Sequence, residues 1–287
     1  MHKVLAKGIL SAQNGMNIYR GCTHGCIYCD SRSECYNMQH DFEDIEVKSN
    51  APELLADALK RRRRRCMIGT GGMCDPYMHC EAELMLMRKC LEIIKREGFG
   101  VAVQTKSDRI LRDIDLYDDI NRSAKAVIQM TLTTYDEDLC RIIEPNVCTT
   151  RRRFETLLEF KKRGIPTVVW LSPILPFIND TEENLRGILD YCFRAGVKGI
   201  ILFGFGLTLR QGNREYFYTA LDKDFPGMSR RYIGTFGNSY ECASPNNQRL
   251  SKIFHEECHK RGVMHNIDEI FAYLHHLPEG FEQLSLF

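Results

Sequence analysis

Six short apolar runs, at residues 16–19, 66–70, 100–105, 126–132, 167–171 and 199–203, recur along the chain with amphipathic stretches between them. Runs this short and this rich in Val, Ile and Met have the form of buried strands. The stretches at about 51–64, 80–97, 107–121, 150–163 and 181–195 carry apolar residues at helical spacing. Their punctuation agrees. Pro52 follows Ser49 and Asn50 at a helix start, and Gly98, Gly164 and Gly196 stand where helices should stop. Strand alternating with helix predicts parallel strands joined by right-handed crossovers. Six units rather than eight predict an α/β fold, a partial parallel (β/α)6 barrel open on one side. After Phe203 the alternation fades, and two further helices are expected near 245–261 and 267–275. The expected organisation is a barrel over residues 1–205 and a C-terminal extension, 206–287, packed on it. No linker, internal repeat or low-complexity tract divides them.

Composition narrows the class. Hydrophobic content of 44% and charged content of 27% suit a globular chain with a sizeable core. The formal charge of +1 supplies no global field for nucleic acid, so such a partner must be met by a local patch. Thirteen cysteines is an odd number, and the first ten residues, interrupted by Lys3 and Lys7, do not read as a secretory leader. Reduced thiols in the cytoplasm are expected, not a disulfide framework. No run approaches the length of a membrane span.

Chemistry concentrates after the first strand. Cys22-Thr-His-Gly-Cys26-Ile-Tyr-Cys29 is a C-x3-C-x2-C triplet. Three thiolates on so short a loop can hold three corners of a [4Fe–4S] cube, leaving the fourth iron for the amino and carboxylate groups of S-adenosylmethionine. Electron transfer into the sulfonium would then release a 5′-deoxyadenosyl radical. Gly21 and Gly25 suit a loop whose backbone N–H groups approach the cluster sulfurs. A Cys3His zinc knuckle through His24 is the chemical alternative. In parallel barrels reactions occur at the C-terminal ends of the strands, which is where this loop lies.

The triplet resembles the signature of the radical S-adenosylmethionine superfamily, whose fold is a partial barrel of this kind. The resemblance implies a [4Fe–4S] cluster on Cys22, Cys26 and Cys29, with Tyr28 beside the adenine, and a reducing protein such as a flavodoxin or ferredoxin as electron source. The second strand ends in Gly69-Thr70-Gly71-Gly72, where backbone groups can meet the methionine amino group, or which is simply a turn. Lys106 ends the third strand and can pair with the cofactor carboxylate, or sit solvated at a helix start. Threonines 131, 133 and 134 end the fourth and can bond the ribose, although threonine is also a good strand former.

A narrower resemblance runs through residues 16–205. Besides the triplet, Asp75-Pro76-Tyr77, Thr105-Lys106-Ser107, Thr131-Leu132-Thr133-Thr134, Glu144-Pro145 and Pro173-Ile-Leu-Pro176 occur in order, as in the spore photoproduct lyase-like (DNA repair photolyase-like) branch. It implies that Lys106 and Thr131 contact the cofactor and that the substrate is nucleic acid, in DNA repair. In spore photoproduct lyases a cysteine after the second strand returns a hydrogen atom to the product radical. Aligned on Asp75, that position is Gly72, and Cys74 two residues on is the candidate donor. A radical enzyme for a peptide, an RNA or a small molecule, and a non-catalytic clamp-binding protein holding a structural metal, are the alternative readings.

Gln283-Leu284-Ser285-Leu286-Phe287 resembles the pentapeptide that docks on the bacterial DNA sliding clamp, with Leu284, Leu286 and Phe287 as apolar anchors. The competing expectation is a tail folded over its own barrel. The arginine run 61–65 falls on the bottom face and reads as solvated. Arginines 151, 152 and 153 fall nearer the mouth and are the candidates for substrate phosphates. The other cysteines, among them Cys35, Cys80, Cys140, Cys148, Cys192, Cys242 and Cys258, form no second C-x-x-C.

Overall fold

The six runs assemble into one all-parallel sheet in sequence order: Gly15–Met16, Met67–Thr70, Gly100–Thr105, Ala126–Thr131, Thr167–Trp170 and Gly199–Ile201. The structure, a computed structural model, describes residues 1–278. Long helices return the chain from each strand to the next: Ala51–Lys60, Leu86–Glu97, Ile114–Ser123, Thr150–Lys162 and Glu182–Ala195. The (β/α)6 partial barrel expected from the pattern is therefore the fold.

Period-two alternation divides the two faces of the sheet. Ile68, Val101, Val103, Ile128, Met130 and Val169 point out against the helices in the main core. Met67, Ala102, Val127, Val168 and Ile201 point into the lumen, where Ile270 and Leu274 of the helix Ile267–His275 meet them. That last helix plugs the barrel from below, each of the two buried side chains contributing about 2 kcal/mol of apolar burial. Lys125 holds it there through the carbonyls of Tyr273 and His276. The free edge of the sixth strand is covered too: Ile200 N donates to Met264 O at 2.9 Å, and Met264 N donates to Lys198 O at 3.2 Å.

Several boundaries differ from the pattern, each for a local reason. The run 16–19 is split. Tyr19–Arg20 leaves the barrel to pair antiparallel with Glu46–Lys48, which pairs parallel with His2–Val4. Ile18 and Tyr19 are both buried, so alternation could not mark the departure. The stretch 80–97 breaks at Met85 (φ 54°) into Glu81–Leu84 and Leu86–Glu97. The buried Glu81 carboxylate caps the second piece, accepting from Leu86 N and Met87 N at 3.0 Å each. The stretch 107–121 opens as a 3-10 turn, Asp108–Asp113, before becoming α-helical.

The extension holds the antiparallel strand pair Gly206–Thr208 and Glu241–Ala243 and the helices Asn213–Asp224, Met228–Phe236 and Asn247–Arg261. The strand pair and the first two of these helices are not visible in the pattern, nor is the short helix Glu137–Ile143. Leu207, Phe217, Leu221 and Tyr232 of the extension share a second core with Cys26, Ile27 and Tyr28. The extension thus buries one side of the cysteine loop. The pentapeptide 283–287 lies outside the described residues.

Candidate functional site

A cavity of about 760 Å³ opens at the C-terminal ends of the strands, roofed partly by the paired strands 206–208 and 241–243. Cys22, Cys26 and Cys29 line one wall. Their loop is stitched at both ends and in the middle: Cys22 N donates to Phe42 O at 3.1 Å, Ile27 N to Ile143 O at 3.0 Å, and Asn146 N to His24 O at 3.1 Å. Gly25 sits at φ +72°, where a Cβ would come within 2.9 Å of Asn146 Nδ2, so the tight approach needs glycine.

The donor set fits a cluster better than a single ion. All thirteen cysteines are free thiols. Burial, then the neighbouring Cys26, raises the Cys22 thiol well above its usual range, and burial pushes Cys26 up to about 12. Left alone both are neutral, and a bound iron centre would displace their protons. A tetrahedral zinc, with Zn–S near 2.3 Å, requires sulfurs about 3.8 Å apart. Among the described residues no three of these thiols and His24 come within 4.8 Å of one another. His24 is instead buried with Nδ1 3.5 Å from Asp75 Oδ2. Burial lowers its pKa against the pull of that carboxylate. With His24 engaged by Asp75, three thiols on one loop suit three corners of a cluster.

The loops after strands two and three bring Gly71, Gly72, Cys74 and Lys106 to the cavity, and the end of strand four brings Thr131. Gly71 is at φ +98°, and a Cβ there would fall 1.9 Å from Gln104 O, so only glycine lets the two strand ends close up. The Lys106 ammonium is pulled down by burial, but Cys26 and Glu144 outweigh this, and its pKa moves upward. It carries its charge into the cavity. Tyr28 presents its ring, 5.8 Å from Lys106 Nζ, while its hydroxyl turns inward to bond Glu144. Burial, then Glu144, keeps that phenol protonated far above its ordinary range.

Other expected residues lie elsewhere. Gly69 and Thr70 do not line the cavity. They are strand residues in register with Gly15 and Met16, and Gly69 N donates to Asn14 O. Thr133 and Thr134 are fully buried; the Thr133 carbonyl and Thr134 hydroxyl accept from Asn179 Nδ2, both at 2.9 Å. Only Thr131 of that run faces the cavity. Arg153 is fully buried in an ion pair with Glu144, Nη2 to Oε2 2.5 Å, out of line for a hydrogen bond, while its Nη1 donates to Thr131 O at 3.1 Å. It cannot meet a phosphate. Arg151 and Arg152 are exposed, and Arg152 pairs with Asp108 at 2.8 Å. Cys74 does line the cavity, yet its thiol donates to Tyr19 O at 2.7 Å, and burial pushes it up to about 12. The arginine run 61–65 is exposed, as expected.

The pattern missed the mouth. Trp170, Phe203, Met73 and Tyr240 line it, and Phe203 is 60% exposed, Tyr240 44% and Met73 38%. Phe203 lies 5.9 Å from Trp170, whose Nε1 donates to Gln129 Oε1 at 2.9 Å. Phe203 is apolar and continues an apolar run, so its type alone reads as strand. Its exposure beside the cavity was not legible from type alone.

The Radical SAM superfamily profile matches residues 16–192, and the chain belongs to that superfamily. Its cofactors are a [4Fe–4S] cluster and S-adenosylmethionine. An uncharacterized protein of Mycobacterium tuberculosis is 28% identical over 238 residues, spanning 81% of this chain and 69% of its own. One from Methanocaldococcus jannaschii is 29% identical over 176 residues, 61% and 65% of the two chains. Among solved structures, spore photoproduct lyase complexed with dinucleoside spore photoproduct superposes with a TM-score of 0.64 at 14% identity, over 86% of this chain and 74% of that one. At that identity the superposition speaks for the fold. Among the described residues no helix is long and apolar enough to cross a membrane.

Proposed function

We propose that this chain is a radical SAM enzyme acting on nucleic acid, in the repair of a modified base. The observation carrying the substrate class is the mouth: exposed Phe203 and Tyr240 beside Trp170 offer flat apolar faces of the kind on which bases stack. The neighbour solved with dinucleoside spore photoproduct supports the same class.

In this reading Cys22, Cys26 and Cys29 hold the cluster, and Lys106, Thr131, Gly71 and Gly72 hold S-adenosylmethionine. When bound, that pair supplies a 5′-deoxyadenosyl radical for hydrogen abstraction from the substrate. The work of the chain is to hold and exclude. The Lys106 ammonium meets the cofactor carboxylate, and the Thr131 side chain stands at hand for a hydroxyl. The Tyr28 ring, Trp170 and the paired strands 206–208 and 241–243 shut water away from the reacting atoms. Cys74 is the candidate hydrogen-atom donor to the substrate, and to act it must turn its thiol from Tyr19 O into the cavity. The barrel 1–205 and the extension beyond it act as one unit over the cysteine loop, in the reducing cytoplasm, with an electron-carrying flavodoxin or ferredoxin as partner.

The test is anaerobic. Reconstituted protein should be brown, hold about four irons, and form 5′-deoxyadenosine from S-adenosylmethionine under reduction. Ultraviolet-irradiated oligonucleotide should increase that yield and change in chromatographic retention as its photoproduct is lost. A yield indifferent to irradiated DNA removes the repair reading and moves the substrate to a peptide, an RNA or a small molecule. Absence of cofactor cleavage by iron-loaded protein returns the chain to a non-catalytic role.

The resemblance of Gln283-Leu284-Ser285-Leu286-Phe287 to a clamp-docking peptide supports a second element of the proposal, tethering to DNA through the bacterial sliding clamp. Deleting those five residues should abolish capture by the clamp and leave cofactor cleavage intact. Unchanged capture overturns it.

A further inference from the structure

Away from the cavity, His2, His40 and Asp44 bring three ligand atoms to within 4.8 Å of one another. His2 is on the N-terminal strand, and the other two lie on the segment leading into Glu46–Lys48, the strand with which it pairs. His2 Nδ1 is 2.9 Å from Asp44 Oδ2, and the two imidazole rings meet edge to face at 4.9 Å. The Met1 ammonium takes the other Asp44 oxygen, at 2.6 Å.

His40 is the telling member. Its Nδ1 contacts the Asp41 carbonyl at 2.9 Å, and a carbonyl only accepts, so the proton is on Nδ1. The lone pair is then on Nε2, which is buried and has no hydrogen-bond partner. The charged group it faces is Glu46 Oε2, 3.9 Å away, another acceptor. With the proton on Nδ1, two acceptor atoms face each other at that distance, with room for a cation between them. An imidazole fixed through one nitrogen to a carbonyl, with the other bare, is also the usual state of a metal-ligating histidine.

We propose that His2, His40 and Asp44, with Glu46 closing the set, bind a divalent transition metal of the zinc class. Two imidazole nitrogens with carboxylate oxygens suit zinc, nickel or copper, whereas magnesium and calcium favour all-oxygen shells. The site is independent of the cluster and of the function proposed above. Its effect would reach the cysteine loop mechanically. The segment it ties down carries Phe42, whose carbonyl accepts from Cys22 N, and Glu46–Lys48, which pairs with Tyr19–Arg20 immediately before the loop.

Untagged, cluster-reconstituted protein is equilibrated with zinc sulfate, passed through a desalting column, and its zinc and iron are counted together. Wild type should retain about one zinc beside its irons, and zinc should raise its melting temperature by several degrees. His40→Gln and Asp44→Asn should each lose that zinc and that shift, with iron content unchanged. Wild type that retains no zinc, or variants that retain it fully, would overturn the proposal. A His40 that is merely protonated gives the first of these results.

Discussion

The Thr105 hydroxyl sits against both oxygens of the Asp75 carboxylate, at 2.7 and 2.9 Å, and so ties the loop after strand two to the end of strand three. The same carboxylate accepts from Lys106 N at 2.7 Å and Tyr77 N at 2.8 Å. Tyr77 is anchored in turn, its hydroxyl bonding Asp113 at 3.0 Å and Tyr117 at 2.7 Å. Asp75-Pro76-Tyr77 is therefore a bracket that fixes where Lys106 enters the cavity. In Asp75→Asn an amide donor replaces one acceptor among these donors. A buried donor left unmatched costs about 1–3 kcal/mol. The melting temperature should fall by several degrees, and calorimetry should find weaker S-adenosylmethionine binding. If both stay at wild-type values, Asp75 has no such part.

Gly71→Ala tests the close approach of strand ends two and three. The added Cβ meets a backbone carbonyl, Gln104 O, which cannot swing aside like a side chain, and φ +98° adds a strain of about 1–3 kcal/mol. The loop must move off strand three and carry Gly72 with it. Cofactor affinity should drop at least tenfold, while Gly72→Ala, whose Cβ has open space, should bind nearly as wild type. Equal losses in the two would point to a general loop defect.

Glu144 and Arg153 form a fully buried pair beneath Tyr28. Removing one member of such a pair costs about 3–5 kcal/mol, because the other is left charged without a partner. Glu144→Gln should lose that much at pH 7. Burial alone would raise the Glu144 pKa, but Arg153 and Lys106 outweigh it and hold the folded value below the ordinary one. The folded state then binds fewer protons than the unfolded. The stabilisation is whole above the unfolded value of about 4.3 and drains away as pH falls through the folded value. Urea midpoints of cluster-free protein should decline below about pH 4.3 more steeply for wild type than for Glu144→Gln. Parallel acid limbs would remove Glu144 as the source.

What the sequence made legible follows from how local each signal is. Cys22, Cys26 and Cys29 stand within one loop, so spacing alone is enough to raise the expectation of a cluster there, and strand–helix alternation carries the barrel. The Glu144–Arg153 pair was hidden because its meaning lies in a fold-back. Read as a run, arginines 151, 152 and 153 look alike, yet the helix turns the first two to solvent and the third into the core. The lumen plug was hidden likewise: Ile267–His275 was visible as a helix, but nothing local to it named Met67, Val127 and Val168 as its partners.

Phe203 tests the substrate class most directly. It is an apolar residue left 60% exposed at the lip of the cavity, next to the sole tryptophan, Trp170. If it serves as a stacking face for a base, Phe203→Ala should cost about 1–3 kcal/mol of binding, roughly five- to 150-fold in affinity for irradiated oligonucleotide. Binding of S-adenosylmethionine, which this reading assigns to Lys106 and Thr131, should change little. Trp170 fluorescence offers the readout, since any ligand entering the cavity passes close to its indole. An oligonucleotide that leaves this emission unchanged in wild type, or binds Phe203→Ala equally well, would mean that the aromatic lip serves some other guest.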